Sequence, residues 1–363
     1  MELRDYMNSH NEWEKELAAA PYNLEIKWDN EYVLFKYNQF LSDFNLPLVR
    51  EARGSIFKKI NGIWECVCYP FNKFANWGED YADTPYLDWD SIQVQQKVDG
   101  SLIKFWFDNG EYHISTNGTI DAFKCECGDT TFGQLVLNCC RKIPNFFQSL
   151  RPSYTYMFEL TSPQNQLVCN YGEEAQLWYL GCRNMVTLQE EECHLKIESI
   201  KYPQLYKFES LEKCIDAAHL LDENSEGWVC VDKNWRRVKV KGDEYLRLNK
   251  LRGNGPVTFS RLVDIWKENS LDDFLAAFPQ YKEKVQTMVE TLIEWNNKVM
   301  KIWDSLRQET NRKEFATRAL LYTPPIPACL FALCDHKVKN GFEFLENLST
   351  QKVVKLLEVK EDE

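Results

Sequence analysis

The 363-residue sequence has no stretch approaching the ~20 consecutive apolar residues that a membrane span requires. Residues 1–20 are charged and amphipathic rather than an apolar signal core, so no signal peptide is expected. A Walker-type glycine loop is missing, as is a Gly-x-Gly-x-x-Gly turn after a strand, which removes the common nucleotide cradles. With five histidines, none near a nucleophile-like serine, a Ser-His-Asp set is missing too. Positive charge is in deficit: the formal net charge is −12, which argues against a nucleic-acid coat but leaves room for a local basic pocket. The chain holds no internal repeat and no low-complexity tract.

What is plentiful is apolar and sulfur-bearing material. Hydrophobic residues make up 44% and aromatics 14%, ample for a packed core, and the length predicts two domains. Thirteen cysteines at irregular spacing predict reduced thiols in a cytoplasmic or nuclear setting. Cys125 and Cys127 with Cys139 and Cys140 permit a zinc-knuckle reading. Their spacing is not a paired Cys-x-x-Cys and no histidine stands close, so buried structural thiols are the reading adopted.

Residues 1–20 read as one helix stopped by Pro21. Short β-prone runs follow at 32–37 and 53–58, with Asn61-Gly62 as a hairpin signal. Lys97 lies between two such runs, just before Asp99-Gly100, and is expected at the mouth of a hairpin. Tyr112–Thr116 is the next predicted strand, with Asn117-Gly118 as its turn, and 130–150 is predicted helical. The strand predicted over 154–160 carries one acid, Glu159, in an apolar run, and such an acid needs a cation, a metal or a ligand. After a strand at 176–182 and a helix at 211–221, two strands carry Glu226 and the pair Lys239 and Lys241. Alternation with Val238 and Val240 puts both lysines on one face, as guards of a sheet edge or as part of an anion site. Past Leu248 the periodicity turns helical, with Arg252–Pro256 as a linker. The expected division is therefore a mixed α+β domain over 1–250 and an all-α domain over 251–363.

The isolated polar residues of the first domain are Arg53, Lys73, Lys97, Asp99, Glu159, Glu226, Lys239 and Lys241. This set suits a nucleoside triphosphate with Mg²⁺: cations for phosphate oxygens, carboxylates for the metal or a sugar hydroxyl. Taken singly, each residue reads equally well as ordinary structure.

Their order carries more. Lys97-Val98-Asp99-Gly100-Ser101, then Phe158-Glu159, Glu226-Gly227-Trp228-Val229 and Val238-Lys239-Val240-Lys241 resemble motifs I, IIIa, IV and V of the covalent nucleotidyltransferases. Upstream, Phe35–Asn38, Glu51–Gly54, Lys73-Phe74 and Asn76 resemble the ATP-dependent RNA ligase 1 family of the T-even phage type. Pro163–Val168 and Tyr245 do so as well. The resemblance implies a nucleotidyltransferase domain built on antiparallel sheets with flanking helices, followed by an all-helical domain in place of an OB domain. It implies Lys97 as the nucleophile that takes AMP from ATP, and Lys239 and Lys241 on the α-phosphate. Glu159 would hold the ribose, Glu226 the metal or its waters, and Asp99 the ribose side or the metal. Arg53 and Lys73 would serve pyrophosphate or the RNA 5′-phosphate. Tyr37 and Gly100 would line the ATP site, and Tyr245 would serve a later step.

The implied cofactors are ATP and Mg²⁺, for which Mn²⁺ can substitute. The implied substrate is RNA with 5′-phosphate and 3′-hydroxyl ends, broken tRNA among them, with the helical tail docking RNA or a protein partner. A DNA ligase, a capping guanylyltransferase and a catalytically weak RNA-end-binding protein are the alternatives. One position departs from the pattern. Asn117 stands where the family pattern can place a lysine, so either another cation, Lys104 or Lys124, substitutes or one step is slower here.

Overall fold

The computed structural model describes residues 1–165, 168–192, 195, 197, 199–222, 224–251, 258–277 and 281–358, without side-chain detail at 248–251, 273, 276, 277 and 358. Two compact units emerge, Met1–Asn249 and Lys250–Glu363. The expected linker Arg252–Pro256 lies outside the described residues, as do Gln166, Leu167 and the side chain of Asp273.

In the first unit the predicted single N-terminal helix is two, α1 (Glu2–Ser9) and α2 (Trp13–Ala18). The break falls where polar side chains compete for backbone: Ser9 bonds the Asp5 carbonyl, and Asn8 spends its amide on both backbone groups of Trp64. Both helices bury Leu3, Met7, Trp13 and Leu17 against an antiparallel meander. Its strands are β1 (Leu24–Asp29), β2 (Tyr32–Tyr37), β3 (Arg53–Ile60) and β4 (Ile63–Cys68), with α3 (Pro47–Glu51) between the second and third. Asn61 and Gly62 turn β3 into β4 with φ of 50° and 86°, the left-handed pair that a tight hairpin demands.

Next in the chain are β5 (Ala75–Asn76), β6 (Gln93–Gln96), β7 (Ser101–Asp108) and β8 (Glu111–Thr116). A ribbon of β9 (Glu126–Cys127) and β10 (Thr130–Thr131) leads into α4 (Phe132–Arg141), capped by Thr131 accepting from the Gln134 amide. Then follow β11 (Tyr154–Thr161), β12 (Gln176–Asn184), β13 (Glu190–Glu191), β14 (Leu205–Tyr206), α5 (Leu211–Ala218), β15 (Gly227–Val231), β16 (Arg237–Lys241) and α6 (Asp243–Leu251). These strands form two five-stranded sheets, ordered β13-β12-β11-β7-β8 and β14-β6-β15-β16-β5. One packs on α4 and the other on α5, each around its own apolar core. Cys127, Cys139 and Cys140 are buried in the first of these cores, and every described cysteine is a free thiol.

The topology overturns the hairpin expected around Lys97. β6 and β7 do not pair; they belong to different sheets, and Lys97–Gly100 is the crossing between them. Neither Asp99 nor Gly100 has the positive φ of a tight turn. Gly100 is required for space: a Cβ there would sit 2.3 Å from the Leu160 carbonyl oxygen and 3.1 Å from Glu159 Cγ. The edge-guard reading of Lys239 and Lys241 also fails, since β16 lies between β15 and β5 and both side chains are buried.

In the second unit the described elements are helices: α7 (Phe259–Lys267), α8 (Leu271–Ala277), α9 (Lys282–Leu306), α10 (Arg312–Ala319), α11 (Ile326–Cys334), α12 (Gly341–Glu346) and α13 (Thr350–Glu358). The 25-residue α9 buries Val285, Met288, Leu292, Trp295 and Val299, a stripe at three-and-four spacing. No described helix is long and apolar enough to cross a membrane.

Candidate active site

Three strand ends create the site. The Lys97 amide donates to the Gly227 carbonyl at 2.8 Å, continuing the β6–β15 ladder by one residue. Across β15, Gly227 pairs with Lys241 on β16 so closely that a Cβ would meet the Val240 carbonyl oxygen at 2.1 Å. Glu226 is thereby pressed between two lysines. Its Oε2 accepts from Lys97 Nζ at 2.7 Å and its Oε1 from Lys241 Nζ at 3.1 Å. Glu226 and Lys241 are buried, whereas the Lys97 side chain keeps 21% of its surface open. The nucleophile candidate is the accessible member of the trio.

Asp99 is buried and otherwise engaged. Its Oδ2 accepts the Val168 and Cys169 amides at 2.9 and 3.0 Å, and its Oδ1 accepts the Tyr245 hydroxyl at 3.0 Å. Burial, with the Glu226 charge beside it, raises its pKa, against the pull of those two amides. Its geometry is that of a clamp tying Lys97's segment to the loop after β11 and to α6. Asn165 adds a second tie, bonding Ser101 Oγ and the Leu160 carbonyl. Tyr245 lies on the clamp, and Lys241 Nζ sits 5.4 Å above its ring.

The opposite wall is finished differently. Glu159 projects from β11 as a half-buried carboxylate with no hydrogen bond to another described residue. Burial pushes its pKa up to about 8, Lys97 opposing and Glu226 reinforcing the rise. Arg53 Nη1 and Asn117 Oδ1 are buried with no partner among the described residues. Arg53 stacks on one ring, Phe74, which Lys239 also faces, at 5.2 and 5.6 Å.

Lys104, one of the two substitutes expected for the missing lysine at 117, is wholly buried and donates to the Gly54 carbonyl. Burial pulls its pKa down to about 8. A Cβ on Gly54 would lie 2.8 Å from both Lys104 Nζ and the Asn117 carbonyl oxygen, so this lysine fills the corner beside Asn117. Lys124 is exposed and paired with Asp29 at 2.5 Å.

Tyr37 and Lys73 form a neighbouring group. Lys73 Nζ is buried 5.2 Å from the rings of both Tyr37 and Phe44, and lines a separate cleft with Arg50. Sequence reasoning missed Tyr171, whose hydroxyl accepts the Asp99 amide at 2.9 Å; nothing in its sequence surroundings marks it.

No group of three or more metal-ligating side chains poised around a cation occurs among the described residues. Both oxygens of Glu226 and both of Asp99 already have partners. A divalent ion fits here only as one carried on substrate phosphates, with a carboxylate reaching it through water.

A family model for RNA ligase matches residues 51–245. A protein of Autographa californica nuclear polyhedrosis virus, described as a bifunctional polynucleotide kinase/RNA ligase, is 34% identical over 72% of this chain and 40% of its own length. The chain thus spans less than half of that relative. An RNA ligase of Rhodothermus phage RM378 is 25% identical, covering 75% of this chain and 78% of its own. Among solved structures, an archaeal ATP-dependent RNA ligase aligns with a TM-score of 0.45 at 14% identity, over 76% of this chain and 79% of that one.

Proposed function

The chain belongs to the T4-type RNA ligase family, and on that premise we propose that it is an ATP-dependent RNA ligase working through a covalent lysyl–AMP. The observation that carries the reading is Lys97 Nζ, the open member of a buried trio, held 2.7 Å from a carboxylate able to take its proton. In the proposed first step the Lys97 nitrogen bonds the α-phosphorus of ATP, the bond to the bridging oxygen breaks, and pyrophosphate leaves. Lys239 and Lys241 offset the charge developing on the α-phosphate. Glu159, with no hydrogen bond to another described residue, is the acceptor for ribose hydroxyls. Arg53 offers its buried Nη1 to a phosphate oxygen.

In the second step a 5′-phosphate oxygen of RNA attacks the adenylyl phosphorus and Lys97 leaves. In the third, a 3′-hydroxyl attacks the adenylylated 5′-phosphorus and AMP departs, sealing the strand. Broken tRNA is within this substrate class. Mg²⁺ bound to the phosphates would neutralise their charge, with Glu226 holding its waters.

Incubation with α-labelled ATP and Mg²⁺ tests the reading. A protein-bound label is expected in wild type, reduced at least ~10³-fold in Lys97→Ala. A wild-type protein that takes no label, or a variant that still takes it, ends the proposal.

A further inference from the structure

We propose that the cleft on the far side of Phe74 binds the phosphates of the nucleic-acid strand delivered to Lys97. The proposal rests on the ligase reading and adds to it a site for the strand. The cleft, about 260 Å³, is lined by five cations: Arg50, Lys73, Arg183, Arg236 and Arg237. Two carboxylates, Asp83 and Glu190, line it with them, and Arg236 at the rim also meets the buried Asp232 at 3.8 Å.

The pairing leaves positive charge over. Glu190 is shared by two arginines, meeting Arg183 Nη2 at 3.0 Å and Arg237 at 3.0 and 2.6 Å. All three side chains are buried, so one carboxylate answers two guanidinium groups. Arg183 Nε is buried with no partner among the described residues. Asp83 reaches Arg50 only at 3.8 Å. Two buried guanidinium groups on one carboxylate cost stability unless an anion joins them, and here they stand in a protein of net charge −12.

Strand geometry ties this cleft to the nucleophile. Arg237, Lys239 and Lys241 alternate with Val238 and Val240, so all three occupy one face of β16. At a strand rise of ~3.3 Å per residue, Arg237 lies about 7 Å beyond Lys239 and about 13 Å beyond Lys241. Phe74 is the shared wall, lining the cleft while carrying Arg53 and Lys239 on its ring. The outer rim is Arg236, 44% exposed, and Arg50, 26% exposed. Cations thus step from solvent to Lys241 over a distance that a phosphodiester chain spans and one pyrophosphate does not.

The test is the rim double variant Arg50→Gln/Arg236→Gln in the full chain, with Arg236→Gln alone as a milder second variant. The probe is a 5′-phosphorylated single-stranded RNA oligonucleotide. The double variant is expected to bind it about tenfold more weakly. Its log–log salt slope should shrink by about 1.4, the single-strand value for two lost phosphate contacts. The KM for ATP in label transfer should stay within about twofold of wild type. Unchanged RNA affinity and slope in both variants would overturn the proposal. So would a raised KM for ATP with RNA affinity intact, which would assign the cleft to the triphosphate tail. Absence of label transfer in wild type would instead sink the ligase reading.

Discussion

The two walls of the Lys97 pocket are built to opposite rules. On the β15–β16 wall Glu226 spends both oxygens on lysines, and in the adjoining crossing that carries Lys97, Asp99 spends its own on two amides and a hydroxyl. On the wall made by β3, β8 and β11, Arg53 Nη1 and Asn117 Oδ1 are buried without partners among the described residues, and Glu159 makes no hydrogen bond to another described residue. Buried polar groups are nearly always paired, and the exceptions need a reason. On the proposed mechanism the paired wall is a resting arrangement that must open. The unpaired wall stores unmet hydrogen bonds for a ligand to satisfy, so stability and activity should part company across the pocket.

The largest effect should come from breaking the paired wall. Glu226→Ala takes the one carboxylate from between two ammonium groups and should lower stability by about 3 kcal/mol, as loss of one partner of a buried pair does. Label transfer should fall at least 10²-fold as well. Arg53→Ala, its counterpart on the other wall, should cut label transfer by 10- to 100-fold while leaving stability within about 1 kcal/mol. Chemical denaturation beside label-transfer rates measures both. Equal stability losses in the two variants would erase the distinction between the walls.

A smaller, pH-dependent effect belongs to Glu159. The folded protein holds its proton up to about 8, while an unfolded chain releases it near 4.5. Between those values the native state binds more protons, so this group's contribution to stability falls as pH rises through the window and is fully lost above it. Glu159→Gln removes the titration. The variant should gain on wild type progressively as pH rises from 4.5 to 8, read from melting temperatures at several pH values. A constant difference would show that Glu159 ionises in the fold as it does in water.

How far the two walls were legible in sequence follows from what each depends on. Lys239 and Lys241 were readable because a strand keeps a two-residue alternation, and the register then sets Gly227, and with it Glu226, beside Lys241. The Asp-Gly pair misled because Gly100 serves a close approach to Leu160, a contact 60 residues away in sequence that no local turn rule contains. The N-terminal helix broke at Asn8 and Ser9 for a similar reason: Asn8 is claimed by Trp64, 56 residues on. Lys104 was nameable, but its total burial was not. β7 is covered on both faces, so Lys104 shares the face of buried Trp106 while Ile103 and Phe105 fill the other. Tyr171 had no signal at all, since its contact with Asp99 depends on where the loop after β11 sets its hydroxyl.

The smallest expected effect concerns Asn117, and it decides whether the unpaired wall lacks a cation or only a ligand. If this corner were short of positive charge, Asn117→Lys should raise label transfer tenfold or more. The geometry argues otherwise, because Lys104 and the Asn117 backbone already crowd Gly54 from two sides and Arg53 stands within electrostatic reach of Lys104. A further ammonium there meets two like charges and little water, a repulsion that should lower stability by about 1 kcal/mol. The gain in label transfer should be no more than about twofold, since Arg53 already presents the donor that a phosphate oxygen would use. In a Lys104→Met background, where the buried charge is gone, the same Asn117→Lys change should become neutral or stabilising. That reversal of sign, measured as a double-mutant cycle, would identify Lys104 as the cation standing in for the lysine that position 117 does not have.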